Sequence, residues 1–197
     1  YGQEAFWSEA QRHGVTHREP PDSHWPESNH PRETISWYEA MAFCSWLSAK
    51  LGYEVRLPLE GEWEKAARGT NGRTFSWGDF YVAGHANVNE RRASEGGRSN
   101  VDQTTAVGIY PQGNSPYGVA DMVGNVWEWC LDYYENAGRP WDEISESWYD
   151  SDDRVLRGGC WSGSGAGARP SRRAGYNPSK FDHVIGFRVV CRCPEPV

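Results

Sequence analysis

The sequence predicts an α+β domain: two helices, then a twisted set of antiparallel strands joined by long ordered loops. Three observations lead there. A helix-start signature opens at Ser36, a second amphipathic stretch of helical length follows it, and beyond Thr70 the chain turns to short apolar runs separated by Gly, Pro, Asn and Ser. Helices grouped ahead of strands belong to segregated architectures rather than to alternating βα units. The 11 Trp, 22 Gly and 12 Pro against 38% apolar residues agree with this, because a core must then come from a few large rings and much non-repetitive backbone. At 197 residues one domain, 1–197, is expected, and that length buries a core without staples.

Taken in order, residues 1–34 carry Pro20-Pro21, Pro26 and Pro31, which break regular structure. A short amphipathic segment is expected over 4–13 and an ordered loop after it. His13, His17, His24 and His30 lie here without a matched third ligand, so they read as scattered surface histidines. Ser36-Trp37-Tyr38-Glu39 is a capping box, in which the Ser hydroxyl accepts the Glu39 amide and the Glu carboxylate reaches back. Ala40, Phe43, Cys44 and Leu47 then form one apolar stripe, and Gly52 ends the helix. A strand is expected over 54–57, stopped by Pro58, and a second helix over 60–68 with Trp63, Ala66 and Ala67 inward. Further strands are expected over 127–134, 154–157 and 186–191. The stretches 76–79, 94–100 and 111–118 read as loops, and the acidic run 135–153 as a surface insertion that folds back Trp141 and Trp148.

Charge and cysteine content narrow the functions. A net charge of −7 and a pI near 5.4 exclude a general nucleic-acid or anionic-membrane surface, leaving local basic spots at Arg169, Arg172 and Arg173. No apolar run is long enough to span a bilayer. Cys44, Cys130, Cys160, Cys191 and Cys193 make an odd set that reads as buried thiols, and the C-x-C at 191–193 has no second pair with which to hold zinc. Tyr1 in place of a methionine points to natural sequence upstream, so the compartment is not legible.

Asp121-Met122-Val123-Gly124-Asn125-Val126-Trp127-Glu128-Trp129, then Arg157-Gly158-Gly159, then Ile185-Gly186-Phe187-Arg188 are the most specific signals in the chain. With Arg56-Leu57-Pro58 and Glu62-Trp63-Glu64-Lys65-Ala66-Ala67-Arg68-Gly69 they resemble the formylglycine-generating-enzyme (sulfatase-modifying-factor) family, a branch of the C-type lectin fold, along nearly the whole chain. That resemblance implies the C-type lectin fold. Leu59 departs from it where a capping Thr is usual, and Cys160 where Ser is usual. Members that oxidise a substrate cysteine carry a copper-binding cysteine pair after the Arg-Gly-Gly block. Here 162–184 holds no cysteine, so no copper is expected and that oxidase activity is not assigned. Iron-dependent sulfoxide synthases similar to this domain need a histidine set, and only His85 and His183 lie in this part of the chain.

Two function classes follow. The first is a non-catalytic binding module resembling the variable proteins of diversity-generating retroelements, whose C-terminal segment before Gly-Phe-Arg is diversified at adenines of Asn codons. Such codons never yield Lys, Glu, Gln, Met or Trp; the chain holds 37 of these residues but 162–184 only one, Lys180. Ser162, Ser164, Arg172, Tyr176, Asn177, Phe181, Asp182 and His183 supply the rings, planar cation and adaptable hydrogen bonds that recognition surfaces use, toward a protein or other macromolecular ligand. Trp161, Arg169 and Arg173 are expected as frame residues, with Trp127 and Trp161 as buried rings. The alternative is an oxidoreductase or other enzyme on the same fold, drawing thiols from Cys160, Cys191 or Cys193.

A structural calcium ion is expected at the 121–128 turn. Asp121 and Glu128 bracket a glycine-containing loop able to aim carboxylates and carbonyls at one point, the all-oxygen set a hard cation prefers. The resemblance implies the same set, namely the Asp121 and Glu128 side chains with the Gly124 and Val126 carbonyls.

Overall fold

The computed structural model describes residues 3–17, 19–92, 100–136 and 153–192. The rings at 141 and 148, nearly all of the 94–100 loop and Cys193 lie outside them.

The short amphipathic segment expected over 4–13 is present. A 3-10 turn, Glu4–Trp7, runs into helix α1, Ser8–Arg12, and sinks Trp7 and Ala10 against helix α2, Trp37–Leu51. Among the described residues there are therefore three α-helices rather than the two expected, the first only five residues long. Helix α2 starts as read: Glu39 N–H donates to Ser36 Oγ at 3.3 Å and Ser36 N–H to Glu39 Oε2 at 2.6 Å. Its inward face differs from the expected stripe. Trp37, Tyr38, Ala40 and Cys44 are buried, while Phe43 and Leu47 are half-buried, because Phe43 turns edge-on to Phe187 at 5.5 Å.

Strand β1, Val55–Arg56, leads into helix α3, Glu60–Arg68. Leu59 has no oxygen with which to cap α3, and Asp132 Oδ2 accepts the Glu60 N–H at 2.6 Å in its place. Trp63 and Ala67 are buried as expected. The main sheet has the order β4-β3-β2-β5, with β2 Trp127–Tyr133, β3 Arg154–Arg157, β4 Arg173–Tyr176 and β5 Ile185–Phe187. β2–β3 and β3–β4 are antiparallel, but β5 lies parallel to β2, so the sheet is mixed rather than antiparallel. The cause is the 177–184 connection, which carries the chain from one sheet edge to the other and brings β5 in along β2. The strand expected over 186–191 is also split: Arg188 turns inward, and β6, Val190–Cys191, pairs with β1 in a separate two-stranded ribbon.

Large rings hold the core and satisfy their own polar atoms. Trp37 Nε1 donates to Cys130 O at 2.9 Å and Trp129 Nε1 to Ile35 O at 3.1 Å. Arg154, fully buried on β3, lies with its guanidinium carbon 4.0 Å from the Trp37 ring centroid and 3.5 Å from that of Tyr133.

A recognition face and an acidic turn

β3 ends at Arg157, whose buried guanidinium is held by Glu64 and by Glu60, the latter at 3.4 Å. The chain then passes Gly159, at φ +74°, where an added Cβ would stand 2.6 Å from Ala168 Cα. Only glycine permits that approach. It lets the 3-10 turn Gly165–Ala168 press onto the end of β3, with Ser164 capping the turn by accepting the Gly167 N–H at 3.2 Å. The segment at which the oxidising relatives carry cysteines is thus a run of Gly, Ser and Ala anchored by buried Gly165 and Ala168, with Ala166 exposed.

The eight expected surface residues divide by environment. Arg172, Asn177, Phe181 and His183 are exposed. Ser162, Ser164, Tyr176 and Asp182 are half-buried, each with a local partner. Ser162 Oγ lies 3.3 Å from Cys160 Sγ, and Tyr176 packs toward Trp129 with ring centroids 6.2 Å apart. Asp182 Oδ1 accepts the Val184 N–H at 3.1 Å, while its carbonyl accepts that of Thr34. Of the expected frame residues, Arg173 is bound to Glu60 and to Tyr134 O, but Arg169 is exposed, and its side chain's one described hydrogen bond is a local one to Ala166 O. Trp127 and Trp161 are half-buried rather than buried: each sits where the sheet meets the surface.

His183 does not stand alone. Its ring lies 5.8 Å from Trp161, 5.9 Å from Trp25 and 5.6 Å from His24, and Trp25 meets Trp161 edge to face at 5.5 Å. His24 and Trp25 come from the N-terminal loop, which the sequence reading left outside the surface. Buried Glu33 fixes that loop, accepting hydrogen bonds from Ser23 Oγ at 2.5 Å, His24 N–H at 2.7 Å and Trp25 N–H at 3.3 Å. The available signal was an acid in a proline-rich loop dense in His and Trp, which needs a reason to be ordered.

Of the thiols on which the enzyme alternative draws, Cys160 is buried, Cys191 is exposed and Cys193 lies outside the described residues. Cys44, Cys130, Cys160 and Cys191 are free, and only Cys191 is exposed. Burial pushes the Cys44 thiol up to about 12 and that of Cys130 well above its ordinary value, so neither is a thiolate near neutrality. His85 packs on Trp77, away from the His24–His183 contact. Among the described residues no group of three or more His, Cys, Asp or Glu side chains is placed to hold a metal.

The 121–128 turn does bring its two acids to one place. A cavity of about 300 Å³ is bordered by Asp121, Asn125, Val126, Glu128 and Arg188. Asp121 accepts the Gly108 N–H at 2.7 Å, and burial, reinforced by the Glu128 charge, raises its carboxyl above the ordinary range despite Arg188 nearby. Glu128 is more committed. Its Oε2 accepts from Trp63 Nε1 and Arg188 Nε, both at 2.5 Å, and its Oε1 from Arg188 Nη2 at 2.6 Å. Two acids are the ligand type a hard cation prefers, but Asp121 is half-buried and Gly124 is not among the residues bordering the cavity. Glu128 has only its remaining lone pairs to offer while Arg188 holds it.

Residues 3–193 match the sulfatase-modifying factor enzyme 1-like domain family. The chain is 31% identical over 200 aligned positions to the inactive C-alpha-formylglycine-generating enzyme 2 of Bos taurus, an alignment covering 98% of this chain and 58% of that protein. The chain thus spans little more than half the length of that relative. Among solved structures, Treponema denticola variable protein 1 superposes with a TM-score of 0.67 at 24% identity, covering 89% of this chain and 76% of that one. PvdO from Pseudomonas aeruginosa gives 0.67 at 29% identity, covering 83% and 62%. The first of these likenesses is one of fold.

Proposed function

The chain belongs to the sulfatase-modifying factor enzyme 1-like family, and from that premise we propose that it is a non-catalytic recognition domain, binding a protein or other macromolecular ligand through a surface built on 162–184. One observation carries the reading. The segment that bears the cysteine pair in oxidising relatives holds only Gly, Ser and Ala here, with Ala168 packed on Gly159, and beside it stands an exposed group of rings and cations. A frame that fixes half of the segment and leaves Arg172, Asn177, Phe181 and His183 in water suits a display surface, where rigid anchors lower the entropy cost of binding. His24 and Trp25 enlarge that surface with two further rings. The fold shared with Treponema denticola variable protein 1 is compatible with this reading.

The same premise gives the test. Purified protein supplied with copper and a sulfatase-motif peptide containing cysteine forms no formylglycine; aldehyde in the peptide, read by mass spectrometry, overturns the proposal. Whether 162–184 is diversified is read from the DNA encoding 157–190, where a near-copy beside a reverse transcriptase gene differs at adenines alone.

Calcium is proposed here as a structural ion, held by the Asp121 and Glu128 carboxylates and the Gly124 and Val126 carbonyls. It would neutralise the half-buried Asp121 charge and fix the turn that feeds β2. No ligand contact is assigned to it.

A further inference from the structure

Outside 162–184, the residue that calls for an explanation is Phe80, which is 83% exposed. Its backbone is not loose: Trp77 Nε1 donates to Phe80 O at 2.9 Å, and Phe75 N–H to Gly78 O at 2.7 Å. The loop therefore holds a large apolar ring out in water by design of its hydrogen bonds. Beside it lies a cavity of about 430 Å³, within the range of ligand pockets.

Rigid aromatic groups make the floor. Phe75 is buried and stacked on Trp77 with centroids 5.1 Å apart, and Tyr81 meets Phe75 at 5.7 Å. The Tyr81 hydroxyl donates to Glu90 at 2.9 Å, which fixes the ring. That ring abuts Gly165 so closely that an added Cβ would be 2.5 Å away, locking the loop to the recognition segment. Ala166 and Arg169 complete the wall from that segment.

The rim carries one charge of each sign. Asp79 Oδ1 accepts the Thr74 N–H at 3.1 Å, and Arg169 Nε donates to Ala166 O at 3.1 Å, leaving the two terminal nitrogens of Arg169 for another partner. No ion pair within 4.0 Å joins Asp79 to Arg169, so each faces the pocket uncompensated by the other. A simple anion or cation is matched by one of them and repelled by the other. A residue of an extended polypeptide matches both: its side chain fills the aromatic pocket, its N–H meets a carboxylate and its C=O meets a guanidinium. A sugar needs a fork of hydrogen bonds to neighbouring hydroxyls, and here the Tyr81 hydroxyl is already engaged.

We infer that the Phe75–Phe80–Tyr81 pocket, closed by Ala166 and Arg169, takes a single apolar side chain of a polypeptide partner, with Asp79 and Arg169 reading its backbone. This rests on the recognition reading and adds the 74–81 loop to the surface.

The test uses the ¹⁵N-labelled chain and three probes: N-acetyl-phenylalaninamide, N-acetylglycinamide and methyl β-glucoside. The phenylalanine probe shifts the amide signals of Phe80, Tyr81, Ala166 and Gly167 saturably at millimolar concentration, and the glycine probe binds at least tenfold more weakly. Phe80→Ala weakens the phenylalanine probe about tenfold, and Arg169→Ala and Asp79→Ala each about threefold; the melting temperatures of Phe80→Ala and Arg169→Ala are unchanged because both side chains are exposed, whereas Asp79→Ala also gives up the Thr74 N–H bond and lowers it slightly. Absence of those shifts, shifts unmoved by both Phe80→Ala and Arg169→Ala, or stronger binding of the glucoside overturns the pocket. Failure here leaves the recognition reading intact, whereas formylglycine formation in the copper assay sinks that reading and leaves these shifts as they are.

Discussion

Arg157 and Arg172 lie on either side of one turn, and the Arg157 guanidinium even donates to Arg172 O at 3.2 Å, yet they do opposite things. Arg157 is fully buried, paired with Glu60 and Glu64, and its charge closes the frame between α3 and β3. Arg172 stands in water. The same contrast separates Arg154, enclosed by the Trp37 and Tyr133 rings, from Arg169 on the pocket rim. One residue type serves as frame or as display according to whether its partners come from other elements of the fold. That distinction separates these arginines: Arg154 and Arg157 take partners from distant elements, whereas the Arg169 side chain bonds only the nearby Ala166 O among the described residues.

Breaking the frame gives the largest effects. Trp129→Ala removes a ring with no exposure and leaves Ile35 O without its donor, a loss of about 3–5 kcal/mol by denaturant melting. Trp161→Ala, at a half-buried ring, costs clearly less; equal losses would erase the boundary drawn here. Arg157→Ala removes one of two cationic partners from each of Glu60 and Glu64, which keep Arg173 and Arg68, and costs about 1–3 kcal/mol. Burial works against the Glu64 carboxylate, but hydrogen bonds from Arg68 and Arg157 bring it below its ordinary value. A depressed acid contributes stability above its unfolded pKa and loses it as pH falls through the folded one. The acid limb of the wild-type stability curve should therefore be steeper than that of Arg157→Ala.

How much of this was legible follows the same division. The capping box at Ser36, both long helices, β3 and the glycine blocks are local patterns, and each stands where the sequence puts it. Trp7 entering the core, β5 running parallel to β2 and Arg188 reaching Glu128 depend on contacts between distant segments, for which spacing gives no signal. The candidate surface shows the limit most clearly. Tyr176 and His183 looked alike as rings in a glycine-rich segment, but β4 carries Tyr176 toward Trp129, while the loop carries His183 to Trp25. No pattern around 162–184 could have named Trp25, since it is Glu33 that delivers it.

The acidic turn belongs to neither region and gives an intermediate effect. A raised acid is favoured in its protonated form on folding, so Asp121 costs stability as pH rises from its unfolded to its folded pKa. The calcium ion proposed above would remove that cost. At a hundredfold excess over its dissociation constant it adds about 2.7 kcal/mol, so chelator lowers the melting temperature of the wild type and Asp121→Ala abolishes the difference. A melting curve indifferent to calcium and chelator, with no metal by mass analysis, removes the site and leaves Glu128 to Arg188.

The smallest effects fall within 162–184 itself and sharpen the comparison most. Arg172, Asn177, Phe181 and His183 are exposed, and substituting each by another polar or aromatic residue should change stability within ~0.5 kcal/mol. Ser164 and Asp182 look equally replaceable in the sequence but carry structural hydrogen bonds. Ser164→Ala removes the cap of the 165–168 turn and costs about 1 kcal/mol. Asp182→Ala frees the Val184 N–H just where 177–184 crosses to β5, and costs a similar amount. If all six substitutions are equally silent, the bonds that anchor the segment contribute nothing and the whole window is display. If all six are equally costly, the window is frame throughout, and recognition must reside in the loops carrying Trp25 and Phe80.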